Sequence, residues 1–321
     1  MKFSYEPSAM LKQRKIQKIT NALSAYREHL RNEASAKGYA HPESSLQLPF
    51  DEALLVRVKE AAHAIRRPTL QFVIVIGIGG SNLGAQAVYE ATAGSMNLLV
   101  DRLPKLLFLD TVSDEKMTSV TRVLERHSSL DDVAVIVVSK SGTTTETVAN
   151  TEVLWAFLEE QFGDPHDRFA VITDEGSKLW NLAQGKKITC LPIPLQVGGR
   201  FSVFSAVGLL PLALSNINVD DLVEGARESV QDGVSEDITR NHAIVSAALT
   251  FIHHKHRSIH NTFLFSPKLE SLGKWYRQLA SESLGKNGRG FTPIVSIGTT
   301  DLHSQAQLYW GGPDDKWTNL V

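Results

Sequence analysis

Two stretches of the 321-residue sequence gather small, hydroxyl-bearing and cationic residues in a pattern suited to holding an anion. In Ser139-Lys140-Ser141-Gly142-Thr143-Thr144-Thr145-Glu146-Thr147, six of nine residues carry a hydroxyl and one is a lysine. Hydroxyls beside the free amides of a helix start make a nest for a dianionic phosphate. The plainer reading is an N-cap with a solvated Ser/Thr run, but capping needs a single hydroxyl. The residue order is not that of a P-loop. The second stretch is Gly77-Ile78-Gly79-Gly80-Ser81-Asn82-Leu83-Gly84. Its glycines let backbone approach a ligand, and a following helix start offers N–H groups to an anion. Three readings stay open: a phosphate or sugar cradle, a dinucleotide site with Asp110 as the ribose acid, and a tight strand-to-helix turn. Asn82 in the third glycine position speaks against the dinucleotide.

Three single residues have the chemistry to act beside such a nest. Arg200, in Val197-Gly198-Gly199-Arg200-Phe201-Ser202, stands at the start of an apolar helix, where it would stabilise an oxyanion or enediolate or merely face solvent. Glu282 ends a helical stretch among small residues. With its pKa raised by burial it would serve as a proton-shuttling base, although a lone glutamate there is more commonly solvated. His303 follows Gly298-Thr299-Thr300-Asp301-Leu302 in a loop and is either a general acid–base or a capping or surface histidine. The cluster His253-His254-Lys255-His256 lacks a nearby cysteine or a carboxylate at ligand spacing, so it reads as a solvated helix end and no metal site is expected.

The elements that must position these residues follow from the apolar pattern. Met10, Leu11, Ile16, Ile19, Leu23, Tyr26 and Leu30 predict one helix, broken at Gly38 and Pro42, and Asp51 to Ile65 predicts a second. Apolar runs at Phe72–Ile76, Leu106–Leu109, Val133–Val138, Ala170–Ile172 and Ile188–Leu191 fit strands buried on both faces. Helical stretches at Leu83–Ala93, Asp114–Arg126, Thr145–Phe162 and Ser177–Ala183 alternate with them, predicting a doubly wound parallel α/β sheet. A polar stretch, Asn216 to Asp221, leads to helices reaching about His254, then to strands at Asn261–Phe265, Pro293–Ile297 and Trp317–Val321. The expected division is an N-terminal helical segment over 1–67, a first domain over 68–215 and a second over 216–321 whose sheet is incomplete where the sequence stops.

Bulk composition excludes several classes. Hydrophobic residues at 42% and charged residues at 21% are ordinary for a globular chain. Lys plus Arg at 33 against Asp plus Glu at 35 favours neither nucleic acid nor an acidic membrane surface. The single cysteine, Cys190, allows no disulfide within the chain and fits a cytoplasmic setting. The charged first 35 residues carry no signal-type apolar region, and the longest apolar stretch, Val203 to Leu214, is interrupted by Pro211 and falls short of the roughly 20 residues a bilayer needs.

Taken in order, the motifs Gly77–Gly84, Ser139–Thr147, Gly198–Ser202, Glu282–Lys286 and Gly298–His303 resemble the glucose-6-phosphate isomerase family in its bacterial form, from about Asp51 to Val321. The resemblance implies two sugar-isomerase domains, each a parallel sheet flanked by helices, and reversible interconversion of glucose 6-phosphate and fructose 6-phosphate with no metal or nicotinamide cofactor. It implies that Ser81, Ser139, Lys140, Ser141 and Thr144 hold the phosphate, with Gly80 and Thr143 in the same two loops. It implies that Gly199 and Arg200 face the reacting carbons and that Glu282 moves a proton between C1 and C2. His303 would assist ring opening from the neighbouring subunit of a homodimer, with Glu146 orienting it. The family continues past this point to a late lysine that nothing here matches, so the second domain is expected to be truncated. A non-catalytic sugar-phosphate-binding regulatory module and a nicotinamide dehydrogenase are the rival classes.

Overall fold

The structure, a computed structural model, describes residues 3–321. In chain order its elements are α1 (Gln13–Ala22), α2 (Ser24–Ser35), α3 (Glu52–Ile65), β1 (Phe72–Ile76), α4 (Leu83–Ala93), β2 (Lys105–Leu109), α5 (Asp114–Leu124), β3 (Val133–Val138), α6 (Thr145–Phe162), β4 (Phe169–Thr173), α7 (Lys178–Gly185) and β5 (Thr189–Pro192). There follow α8 (Ala206–Leu214), α9 (Val219–Gly233), α10 (His242–His253), β6 (Ile259–Leu264), α11 (Glu270–Leu284), β7 (Thr292–Ile297), α12 (Gly298–Ser304), α13 (Ala306–Gly311) and β8 (Lys316–Leu320). The chain forms two compact units, Asp51–Asp221 and the residues up to Phe50 together with Leu222–Val321.

The Asp51–Asp221 unit is built on a five-stranded parallel sheet in the order β2-β1-β3-β4-β5. The central strand β3 reads VAVIVV and is buried at every position, as expected of a strand covered by helices on both faces. Helices α5, α6 and α7 cover the face carrying Ile74, Ile76, Val135, Val137, Phe169 and Val171, to which they contribute Leu124, Leu154, Leu158, Leu179 and Ala183. Helix α8 packs against α3, α4 and β1. Truncating a fully buried leucine here, such as Leu154 or Leu158, would cost about 2–5 kcal/mol. The chain leaves β1 for β2 on one side, then crosses to β3 on the other. The winding therefore reverses between β1 and β3, and in such sheets the crevice beyond their carboxyl ends is where ligands bind.

In the other unit, three parallel strands pair in the order β7-β6-β8. A separate cluster joins Ala9 and Ile16 to Val245, Ala248 and Leu249, with Trp317 packed against it.

Several expectations are corrected. The N-terminal helix is two helices, divided at Leu23, and Met10 lies before the first of them with φ +54°. The polar link after 215 is shorter than expected, because α9 already begins at Val219. The histidine cluster is a solvated helix end at Lys255 and His256 but not at its first residue. His253 is buried, its ring stacks on Trp317 at 4.2 Å, and its Nε2 lies 3.0 Å from the Ala9 carbonyl oxygen. Among the described residues no helix is long and apolar enough to cross a membrane.

Candidate active site

The hydroxyl-rich segment is the loop from β3 into α6. Gly142 turns it with φ +69°, and a Cβ there would lie 2.9 Å from Ser177 Oγ and 3.0 Å from Leu179 Cβ, so only glycine fits. Ser139, buried at the strand end, places its Oγ 2.9 Å from Thr144 Oγ1. Ser141 Oγ lies 3.0 Å from Thr143 Oγ1 and accepts the Thr143 amide at 3.3 Å. Thr144 is thus the N-cap residue by position but not by bonding. Its hydroxyl is turned to Ser139, and no side chain caps α6. The plain capping account of this loop fails on that point. The start of an 18-residue helix instead faces the β1/β3 crevice with its amides uncapped by side chains, beside four hydroxyls and the half-buried Glu146 of the first turn.

The glycine loop after β1 and the glycine-arginine loop after β5 meet backbone to backbone. A Cβ on Gly80 would sit 2.3 Å from the Arg200 amide nitrogen, 2.3 Å from the Gly199 carbonyl carbon and 2.6 Å from its oxygen. Ser202, buried, donates its hydroxyl to the Gly199 carbonyl at 2.6 Å, with the Gly80 carbonyl at 3.4 Å. Asn82 braces the first loop by donating Nδ2 to the Gly77 carbonyl at 3.0 Å. Ser81 closes a 3-10 turn, Gly79–Ser81, that leads to α4. Arg200 lies in a second 3-10 turn, Gly199–Phe201, rather than at the start of the apolar helix, since α8 begins only at Ala206. Its guanidinium carbon stands 4.6 Å from the centre of the Phe201 ring, a cation–π arrangement. Lys140 ties the second loop to the third, with Nζ donating at 3.0 Å to the carbonyls of both Leu195 and Val197.

The structure therefore interlocks Gly80, Ser81, Ser139, Lys140, Ser141, Thr143, Thr144, Gly199 and Arg200 through three loops at the carboxyl ends of one sheet. Two contributors were not legible as site residues, Asn82 and Asp174. Asp174 follows β4, its amide donates to the Lys140 carbonyl at 3.0 Å, and burial raises its carboxyl above the usual range against the opposing charge of Lys140. An acid immediately beyond a strand's carboxyl end is the signal that would have found it. Asp110, the candidate ribose acid, is ion-paired with Lys116.

Glu282 and His303 belong to the other unit. Glu282 is in the last turn of α11 and accepts a hydrogen bond from Gln278 Nε2 at 2.8 Å. It is exposed, so the burial expected for it is not found. His303 is exposed on the short helix α12 rather than in a loop. Asp301 pins that helix: its Oδ2 accepts the Ile297 amide at 2.6 Å, and its Oδ1 accepts Ser304 Oγ and Gln305 Nε2 at 2.8 and 3.0 Å. The chain of bonds continues from Gln305 through the Tyr309 hydroxyl to Ser296 and the buried Asn261, anchoring α12 to the centre of the sheet.

A 2-1-3-4-5 parallel sheet with hydroxyl- and glycine-bearing loops gathered at its reversal point defines an α/β domain of the sugar-isomerase type. A family model for phosphoglucose isomerase matches residues 59–316, and the chain belongs to that family. It is 37% identical over 290 residues to a glucose-6-phosphate isomerase of Rubrobacter xylanophilus, covering 87% of this chain and 65% of that protein. It is 39% identical over 250 residues to a probable glucose-6-phosphate isomerase of Haloarcula marismortui, covering 78% of this chain and 55% of that one. The chain thus spans between 55% and 65% of the length of these two relatives. A solved structure of a hypothetical protein from Thermus thermophilus superposes with a TM-score of 0.81 at 30% identity, over 96% of this chain and 73% of that one. A glucose-6-phosphate isomerase from Chlamydia trachomatis shares the fold, with a TM-score of 0.78 at 21% identity over 97% and 66% of the two chains.

Proposed function

We propose that this chain carries out the reversible isomerisation of glucose 6-phosphate and fructose 6-phosphate through a cis-enediolate. The observation that carries the reading is the three-loop constellation at the β1/β3 crevice, in which helix α6 begins without a side-chain cap among the hydroxyls of Ser139, Ser141, Thr143 and Thr144. Those groups, with Ser81 and the Gly80 backbone, would receive the phosphate, whose binding energy orients the distant reacting carbons. Glu282 removes the C2 proton, the C–H electron pair forming the C1–C2 double bond as the carbonyl pair moves onto O1. It returns the proton at C1 as O2 forms the ketose carbonyl and the C2 hydroxyl proton passes to O1. The exchange is redox-neutral and needs no hydride acceptor. Arg200, beside Gly199, offsets the negative charge of the intermediate, the kind of electrostatic stabilisation that usually dominates such reactions. His303 opens the ring from the second subunit of a homodimer, with Glu146 orienting it.

The test is a coupled assay of the 321-residue chain converting fructose 6-phosphate, alongside Glu282→Gln. Loss of a proton-transfer base should lower kcat by about 10³-fold or more, while fructose 6-phosphate affinity stays within about twofold. Undiminished turnover in Glu282→Gln would sink the assignment. A wild-type chain without turnover, yet raised in melting temperature by fructose 6-phosphate, would establish the sugar-phosphate-binding regulatory module instead.

A further inference from the structure

Lys140 is the one cation on the hydroxyl-rich loop, and by residue type it invites assignment to the phosphate. The structure gives it a different occupation. Two of the three donors on its ammonium are spent on backbone carbonyls, those of Leu195 and Val197, at 3.0 Å each. These carbonyls lie on the segment that leaves β5 and runs directly into Gly198, Gly199 and Arg200. The same segment is fastened a second time further on, where Gly199 and the Arg200 amide abut Gly80 and Ser202 donates to the Gly199 carbonyl at 2.6 Å. Within the segment Val197 is also held by its side chain, which is fully buried. The segment's internal backbone bonds are single turns, Val197 N–H to the Pro194 carbonyl at 2.9 Å and Phe201 N–H to the Gly198 carbonyl at 2.9 Å. Gly198 adds no packing stiffness, since a Cβ there would find nothing closer than 3.5 Å. The lysine is itself held at its backbone, its carbonyl accepting the Asp174 amide at 3.0 Å and the Thr173 hydroxyl at 3.3 Å. It is thus a strut rooted in β4 and reaching the arginine loop.

We infer that Lys140 is a positioning residue, whose ammonium fixes the 195–200 loop and through it the place of Arg200, and is not primarily a ligand of the phosphate. The inference rests on the isomerase reading only in taking Arg200 as the reactive cation, because the tether exists whatever the ligand.

The experiment compares wild type, Lys140→Met and Lys140→Arg by hydrogen exchange of the unliganded chain, inorganic phosphate affinity, and the kcat and KM for fructose 6-phosphate. Methionine keeps the length of the stem but donates nothing. Loss of two charge-assisted bonds should speed exchange of the amides over 195–201 by about tenfold or more. On the same ground kcat should fall by about tenfold or more, with KM and phosphate affinity within about threefold. Arginine, which can also donate to two carbonyls, should restore the loop's protection. If Lys140→Met instead leaves exchange over 195–201 unchanged and weakens phosphate by tenfold or more, the tether is overturned and the lysine is a phosphate ligand. Absence of any phosphate or fructose 6-phosphate binding by wild type would count against the isomerase reading, while the exchange of the unliganded loop would still decide the role of Lys140. A Lys140→Met chain too unstable to examine would be replaced by Lys140→Gln, judged by the same exchange criterion.

Discussion

Gly80→Ala should damage the protein far more than the addition of one methyl suggests. Gly80 does not have a positive φ, so alanine meets no backbone strain there, and the whole cost must come from what the new Cβ touches. It touches backbone: the Arg200 nitrogen and Gly199 carbonyl carbon at 2.3 Å and the Gly199 oxygen at 2.6 Å. Carbon atoms rest at about 3.5–4.0 Å, so the arginine loop must move by about 1 Å or more. Overpacking of that kind costs about 1–3 kcal/mol. A shift of about 1 Å in a catalytic group costs about 10²-fold in rate, so kcat for fructose 6-phosphate should fall by that factor. The neighbouring Gly199→Ala supplies the contrast, because a Cβ on Gly199 finds nothing nearer than the Gly80 Cα at 3.8 Å, an ordinary contact. Its folding stability should stay within about 0.5 kcal/mol of wild type. Urea unfolding midpoints of the two variants and of wild type, read with turnover, decide the matter. Equal midpoints for Gly80→Ala and wild type would refute the close approach of the two loops. So would equal losses of stability in Gly80→Ala and Gly199→Ala.

Other consequences are open to the same measurements. Gly142→Ala combines a φ of +69° with Cβ contacts of 2.9 and 3.0 Å, whereas Gly163→Ala has φ +86° and nothing within 4 Å. Gly163→Ala, at φ +86° and ψ −169°, should lose only the strain of that glycine-type backbone, about 1–3 kcal/mol, whereas Gly142→Ala adds about 1–3 kcal/mol of overpacking to its own backbone strain, both read from urea midpoints. His260 is buried between the Tyr276 hydroxyl and Asn319 Nδ2, and burial pushes it from 6.5 down to about 4. The unfolded chain takes up this proton below its own value and the folded chain only near the lowered one, so stability is lost as pH falls from 6.5 towards 4 and levels off beneath. The difference between those values is worth about 3 kcal/mol. Urea midpoints between about pH 7 and pH 4 should show the loss in wild type and a flatter profile in His260→Gln.

What could be read from the sequence divides along a physical line. Val133–Val138 and Phe72–Ile76 were legible to the residue because a strand covered on both faces must be apolar at every position, and β-branched runs of that length have few other homes. Helix α6 was equally plain, bounded by the Thr-rich turn at one end and by Gly163 at φ +86° at the other. The division at Leu23 was not legible, since the apolar spacing runs on through it, and the local dihedrals that break the helix leave no mark in residue type. His253 was misread for a different reason. Four polar residues in a row suggest solvent, yet His253 continues the series Val245, Leu249 at four-residue steps, and that spacing puts it on the buried face of α10.

The site shows the same division at the level of single bonds. Residue type made Ser139, Lys140, Thr144 and Arg200 visible as candidates, because hydroxyls and cations near glycines are rare enough to notice. Their partners were invisible. Lys140 donates to carbonyls 55 and 57 residues away, and every residue in the chain has a carbonyl. Gly80 needs to be glycine because of another loop's backbone, which no local pattern around Gly80 encodes. Glu282 is the complementary case, a residue whose type fits a base but whose expected burial the fold does not supply. Sequence therefore names groups capable of chemistry, while the strength and placement of each group come from backbone atoms brought in by topology. The β1/β3 reversal is what brings these three loops to one crevice, and so the sheet order, more than any single motif, makes Lys140 and Gly80 answerable to Arg200.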